Sequence, residues 1–209
     1  MTATASLIYL LDVQANAAVD AELRDAIEEA QLADWEALWR PALDDAIRRL
    51  HASGIPRSQW PQSRHWDWRA KLREIEQLLA HQTFCIVCGG ETQGLMAVNL
   101  TKTARITTQR GKPLVYVEYL ETAPWNRPEL FSPPRYRGIG SILVRAAIEC
   151  SLQEEFKGRI GLHSLPQADR FYSEICGMTD LGPDASYQNL RYFEMTAEQA
   201  QVFAEKGGK

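Results

Sequence analysis

No apolar run in this 209-residue chain approaches the roughly 20 residues needed to cross a bilayer. The longest one near the start, Leu7 to Leu11, is broken by Asp12 and follows no basic residue. Ala15, Asn16 and Ala17 imitate a cleavage site, but the apolar region is too short for a secretory leader, so the cytoplasm is the expected compartment. Positive charge is also lacking in excess: 23 basic against 27 acidic side chains leave a net charge of −4. No global basic field exists to recruit nucleic acid or an anionic membrane. Cysteine is scarce, and only Cys85 and Cys88 among Cys85, Cys88, Cys150 and Cys176 have a metal-like spacing. They fall in the β-rich run Thr83 to Cys88, where residues three apart point to opposite faces and cannot converge on one ion without a tight turn. Buried structural thiols are expected instead. Internal repeats and low-complexity tracts are absent as well.

What is present can bury a core: 45% of residues are apolar, and the length fits one domain, or one domain with an elaborated end. Ser6 to Val13 reads as a first strand. Alanine-rich, charged segments follow at about Asp20 to Ala30 and Asp34 to Leu50. In the latter, Leu38, Leu43, Ile47 and Leu50 keep helical spacing and Pro41 marks a break or new start. Gly54, Pro56 and Pro61 make His51 to Arg64 a loop, and Trp68, Leu72, Ile75 and Leu79 predict a helix over Trp66 to Ala80. Thr83 to Cys88 and Gln93 to Leu100 form a hairpin around Gly89, Gly90 and Glu91. A polar connector, Thr101 to Pro113, leads to a strand from Leu114 that ends at Glu121, Thr122, Ala123 and Pro124. Further strands are expected at Arg159 to His163, Met178 to Leu181 and Tyr187 to Met195, the last two joined by Gly182, Pro183 and Asp184. Thr196 and Gln199 cap a final helix, with a frayed tail from Lys206 to Lys209.

One junction carries more information than the rest. Arg135, Tyr136, Arg137, Gly138, Ile139 and Gly140 form a basic, double-glycine turn that opens directly into the apolar helical stretch Ser141 to Ile148. Both glycines can adopt backbone conformations closed to other residues and let a ligand approach the main chain. Unpaired N–H groups at the helix start then face an anion, and the helix dipole adds favourable charge. Arg135 and Arg137 neutralise what those amides hold. The turn thus reads as a pyrophosphate cradle. A nucleotidase phosphate loop would need Lys before the Ser that follows Gly140, and a dinucleotide fingerprint would need a third glycine in an early βαβ unit.

With the strand before it, the short strand after its helix, and then Ala168, Asp169, Arg170, Phe171, Tyr172 followed by Gly177 and Met178, the turn resembles the GNAT superfamily of acyl-CoA-dependent N-acyltransferases. The resemblance runs from about Thr83 to the end and is specific at R-x-x-G-x-G and at A-x-x-F-Y with Gly-Met beyond it. It implies an α/β (α+β) fold with a mixed, mostly antiparallel central sheet flanked by helices. Residues 1–82 would hold the first strand and an enlarged helical N-terminal part, and residues 83–205 the acyl-CoA-binding core, within a single domain. A separate helical N-terminal domain is the competing arrangement.

The resemblance also implies a reaction: transfer of an acetyl group from acetyl-CoA to an amine acceptor by direct attack on the thioester. Arg135, Arg137, Gly138, Ile139, Gly140 and Ser141 would hold the pyrophosphate. The backbone of Leu120, Glu121 and Thr122 would bond the pantetheine arm as an added strand, and Phe171 and Tyr172 would also contact the cofactor. An alkyl ammonium is mostly protonated at neutral pH, so a base is useful, and Glu118 and Glu121 are the carboxylates on the right strand. On a regular strand they face opposite ways; Glu118, sharing a face with Leu120 and Thr122, is preferred, and a bulge between them would alter the parity. Tyr172 stands where the family commonly keeps a general acid for the departing thiolate; its other reading is a core aromatic.

Three departures from the family pattern stand out. Gly177 lies one residue further from Tyr172 than is usual, so that turn is expected to bend or lengthen. Asn126 to Pro134 is inserted between the proline ending the strand and the glycine turn, either as a surface excursion or as part of an acceptor pocket walled by Trp125 or Phe131. The asparagine often found before the last helix is replaced by Leu165, Pro166 and Gln167. His163 is read as a strand-end histidine bonded to backbone or as an acceptor-binding or proton-shuttling group, and Trp60, His65, Trp66 and Trp68 as packing of the N-terminal helices, with an acceptor site or dimer contact as the other reading. Dimerisation is a further expectation from the family. Two other functions remain open: an acyl-CoA-binding or sensing protein without turnover, and a helical interaction module on a vestigial fold that binds no CoA.

Overall fold

Along the first strand, β1 (Ala5–Asp12), Leu10 is buried while Leu7, Tyr9 and Leu11 are exposed, the period of two that a half-covered strand imposes. The structure, a computed structural model, describes residues 4–206; the tail expected from Lys206 lies, beyond that residue, outside them. Eight further strands follow: β2 (Ala17–Arg24), β3 (His81–Cys88), β4 (Glu91–Asn99), β5 (Val115–Thr122), β6 (Tyr136–Arg137), β7 (Ile160–Ser164), β8 (Thr179–Asp184) and β9 (Leu190–Met195). They are ordered β6-β1-β2-β3-β4-β5-β7-β9-β8 in one sheet. The β5–β7 pair is parallel, and β1–β2, β1–β6, β2–β3, β7–β9 and β8–β9 are antiparallel. This is the mixed, mostly antiparallel sheet flanked by helices that was expected. Among the described residues no helix is long and apolar enough to cross a membrane.

The chain divides into two compact units. The first runs through Leu79 and adds Thr83–Met96 and Leu120–Leu143. Its sequence reading needs one correction: the Asp20 to Ala30 segment is not a helical run. Ala17–Arg24 is a strand, in register with β1 from Ala5↔Arg24 to Asp12↔Ala17. Alanine and charge favour a helix locally, but ladder pairing with β1 and β3 overrides that weak preference. Helix α1 (Glu29–Asp34) passes through a π-helical turn, Trp35–Trp39, into α2 (Arg40–Ala52). Pro41 follows directly on the π-helical turn, where it has no N–H to continue the ladder of the preceding turn. The Trp39 indole N–H donates to Thr92 O (2.9 Å), and the Asp34 carboxylate accepts from the Thr92 N–H and hydroxyl (2.8 and 2.7 Å), tying this helical run to β4. Helix α3 (Trp68–Ile75) is shorter than the expected Trp66 to Ala80, and Asp67 caps it by accepting from Ala70 N–H (2.9 Å).

The second unit comprises Ala80–Gln82, Ala97–Tyr119 and the chain from Val144 onward. Leu114, Leu162, Phe193 and Met195 are among its buried core residues. Gly161 on β7 has no room for a side chain, since a Cβ there would lie 2.5 Å from the Tyr192 hydroxyl. Glu194, buried on β9, accepts from the N–H groups of Arg105 and Ile106 and from the Gln109 amide, which pins the polar connector. The turn between β8 and β9 differs from expectation. Gly182 and Pro183 lie inside β8, at an irregularity in its register, and the reversal is made at Gln188 and Asn189, both left-handed. Thr196 and Gln199 form the reciprocal cap of α5 (Ala197–Lys206) that their spacing predicted.

Candidate functional site

The glycine turn begins with β6, whose two residues pair with Leu11 and Asp12 of β1. It ends in helix α4 (Ile139–Gln153), which starts two residues before the expected Ser141. Only Gly138 takes a left-handed conformation, with φ of +99°; Gly140 is already in the first helical turn. A Cβ at Gly138 would meet nothing closer than Ile142 Cδ1 at 3.9 Å, so the space over this residue is open. Backbone bonding of the helix begins with Ile142 N–H to Gly138 O (3.0 Å). The N–H groups of Ile139, Gly140 and Ser141 precede that bond and belong to the orphan donors of the helix start. Arg137 is exposed. Arg135 is held by Glu91 at 2.6 Å, so part of its charge is already answered. These features suit a diphosphate: donors, a positive helix end, an exposed guanidinium and no side chain over Gly138.

The two candidate bases on β5 stand in different surroundings. Glu118, half-buried, accepts from Asn99 Nδ2 on Oε1 (2.8 Å), and His81 Nε2 lies 3.3 Å from Oε2. Neither His81 nor Asn99 was singled out in the sequence, and the only signal was polar residues at the ends of β3 and β4. Glu121 is buried, accepting from the Trp68 indole N–H at 2.8 Å, with Arg127 Nη1 at 3.8 Å. Burial pushes its carboxyl above the ordinary carboxylate range, against the opposing pull of the Trp68 hydrogen bond and the Arg127 charge. The parallel register with β7 runs from Val115↔Ile160 to Val117↔Leu162.

Tyr172 is buried in a π-helical turn, Phe171–Ile175, against Phe171 (5.1 Å between ring centroids) and Phe193 (5.9 Å). Burial holds its phenol well above the ordinary tyrosine range. The Cys176 N–H reaches back five residues to Phe171 O (3.0 Å), and Gly177 follows at φ of +67°. That wider turn takes up the additional residue noted between Tyr172 and Gly177. Single π turns of this kind are frequent at functional sites.

His163 is not bonded to backbone. Its Nε2 faces Asp184 Oδ2 (3.0 Å), so that nitrogen carries the proton and Nδ1 accepts from the Tyr116 hydroxyl (2.7 Å). The ring stacks on Tyr187 at 3.9 Å, and burial lowers its pKa, favouring the neutral form. Every polar atom of His163 is therefore answered. The Asn126 to Pro134 insertion closes at its base, where Arg135 N–H donates to Trp125 O and Tyr136 N–H to Asn126 Oδ1. Inside it, Arg127 bonds Glu129 and Ser63, while Arg49 lies over the Phe131 ring at 4.8 Å. The four cysteines are free and buried, as expected, and burial pushes Cys85 and Cys176 up to about 12. Trp68 is buried in the first unit, whereas Trp66 carries Lys71 over its ring.

No family model and no curated protein matches the chain. Solved structures do. A provisionally named acetyltransferase is 13% identical, with 88% of this chain and 89% of that one covered and a TM-score of 0.52. FeeM, an N-acyl amino acid synthase from uncultured soil microbes, is 12% identical over 87% of this chain and 94% of its own, with a TM-score of 0.51. An acetyltransferase of the GNAT family from Listeria monocytogenes is 11% identical, covering 90% and 99%, with a TM-score of 0.47. At such identities the likeness is one of fold: the chain shares the fold of FeeM and of that acetyltransferase.

Proposed function

We propose that this chain transfers an acetyl group from acetyl-CoA to a primary amine, on a small molecule or a protein, by direct attack of the amine on the thioester. The observation that carries the reading is the start of α4, where left-handed Gly138, the first-turn amides and exposed Arg137 suit a pyrophosphate. The donor supplies an activated acyl group. The backbone of Leu120, Glu121 and Thr122 on β5 bonds the pantetheine arm as an added strand would.

Glu118 acts as the base. It is half-buried and oriented by the Asn99 amide, with His81 beside it, and it draws the proton from the incoming ammonium through a water molecule. Glu121, sealed beneath Trp68 and Arg127, supports the site instead of exchanging protons during turnover. Tyr172 is the candidate acid for the departing thiolate: burial keeps its phenol protonated, and the transfer requires that its hydroxyl open to the bound thioester. Phe171 supplies apolar surface beside it. The Asn126 to Pro134 insertion, braced by Arg127, forms a wall of the acceptor pocket through Trp125 or Phe131.

Titrating acetyl-CoA while following the melting temperature tests this directly. At a hundredfold excess over Kd, binding adds about 2.7 kcal/mol, a rise of roughly 5–10 °C for a chain of this size. Gly138→Glu places bulk and negative charge in the cradle and should abolish the rise. Turnover on an amine library, read as free thiol released, is then expected for the unaltered protein. Stabilisation without turnover would favour a sensing role, and no stabilisation in either protein would remove the reading.

A further inference from the structure

At the start of β4, Glu91, Gln93 and Gly94 each meet the segment that carries the glycine turn. Glu91 accepts from Arg135 Nη1 (2.6 Å). Gln93 is fully buried, and its side-chain oxygen accepts twice, from the Trp125 indole N–H (2.9 Å) and from Asn126 Nδ2 (2.8 Å). Asn126 Oδ1 in turn accepts from the Tyr136 backbone N–H (2.9 Å). An indole nitrogen and a main-chain nitrogen only donate, so the orientation of both side-chain amides is fixed by their partners. The Gln93 amide nitrogen is answered as well, by the carbonyls of Cys88 (3.4 Å) and Glu91 (3.2 Å).

Gly94, the next residue, meets the other end of the turn. A Cβ there would lie 2.7 Å from Ile139 Cγ2 and 3.1 Å from Leu143 Cδ1, so only glycine lets the first turns of α4 rest this closely on β4. Gln93 therefore acts, through Asn126, on the residue before Arg137, and Gly94 acts on the residue after Gly138.

We infer that Gln93 and Gly94 are positioning residues for the cofactor: between them they set where the Gly138 turn and the first amides of α4 stand. The inference rests on the reading of that turn as the pyrophosphate cradle. Amide donors hold a phosphate oxygen only within about 2.7–3.2 Å, so a shift of the turn by about one ångström forfeits those bonds. The 126–134 insertion is thereby divided into two parts. Its neck, Asn126, belongs to the cofactor side, whereas its body, with Arg127 on Ser63 and Arg49 over Phe131, leans on segments that precede β3.

The test uses the full chain with Gln93→Leu, Gly94→Ala and Asn126→Ala, and with Ser132→Ala, at an exposed place in the insertion's body, as a control. The first readout needs no ligand. It is hydrogen exchange of the Ile142 N–H, which closes the first turn of α4 on Gly138 O (3.0 Å), compared with amides near Ala147 in the same helix. Gln93→Leu and Gly94→Ala alter neither partner of that bond, yet the Ile142 amide should exchange about tenfold faster in both while the later amides keep their rates. An unchanged Ile142 rate, or equal acceleration along the whole helix, would overturn the inference.

The second readout is the affinity for acetyl-CoA, by titration calorimetry. Asn126→Ala should weaken it about tenfold and raise the KM for acetyl-CoA in step, with kcat at saturation falling far less. Asn126→Asp keeps an acceptor for the Tyr136 N–H, so it should return most of the loss, and it covers the case in which the alanine variant does not fold. Ser132→Ala should bind as the unaltered protein does. Faster exchange at Ile142 with unchanged affinity would overturn the role in cofactor binding. Absence of acetyl-CoA binding by the unaltered protein would sink the cradle reading itself, and hydrogen exchange would still decide whether β4 sets the turn.

Discussion

Glu118 and Glu121 share strand β5, yet they inhabit different media. Glu118 keeps a fifth of its side chain open to solvent and accepts from the Asn99 amide. Glu121 is closed off beneath an indole and a guanidinium, and burial holds its carboxyl above the ordinary range. The contrast teaches that residue type on the right strand is insufficient to assign a base. A carboxylate that must exchange protons with an arriving amine needs both access and a stable charge. One that must hold neighbouring segments together needs neither.

The largest effect that would sharpen this contrast is expected at the open carboxylate. Glu118→Gln should lower kcat/KM by about a hundredfold or more, with unfolding shifted by about 1 kcal/mol. Steady-state rates beside chemical denaturation would show it, and a variant that keeps its rate would hand the base role elsewhere. Next comes the sealed carboxylate's counter-charge. Arg127→Met leaves Glu121 buried without its cationic neighbour and should cost about 3 kcal/mol of stability, measured by urea unfolding. A loss near zero would mean that the 3.8 Å separation is too long for the pair to matter.

The smallest effect is a pH dependence. Because burial raises the folded-state value for Glu121, its stabilising contribution is fully present below the unfolded carboxylate value, about 4.3, and is lost as pH rises through the folded value. Glu121→Gln removes that loss. The stability of the variant relative to the unaltered protein should therefore climb as pH rises from the unfolded carboxylate value through the folded one. A difference that is flat with pH would break the comparison, since Glu121 would then titrate as an exposed carboxylate does.

The glycine turn was legible because everything it needs lies within a few residues: two arginines, a glycine free to turn left-handed, and an apolar helix start. The wider turn after Tyr172 was also foreseeable, since one additional residue before Gly177 had to be accommodated locally. Strand β2 was not. Its composition, alanine with Asp20, Glu22 and Arg24, favours a helix, and only its position between β1 and β3 makes it extended. His81 was invisible for a related reason, because its meeting with Glu118 depends on the placing of strands far apart in the chain. His163 was misjudged in its partners: Tyr116 and Asp184, distant in sequence, answer the nitrogens that were assigned to backbone.

What the sequence by itself determined were the features that short-range forces govern. These are the alternation of β1, the left-handed glycine before α4 and the reciprocal Thr196 and Gln199 cap of α5. Backbone torsion and hydrogen bonds between near neighbours suffice for each. The tertiary structure alone decided which carboxylate stays open and which is sealed. Those outcomes depend on desolvation and on donors supplied by distant strands and loops, and a carboxylate's neighbours along the chain contain neither.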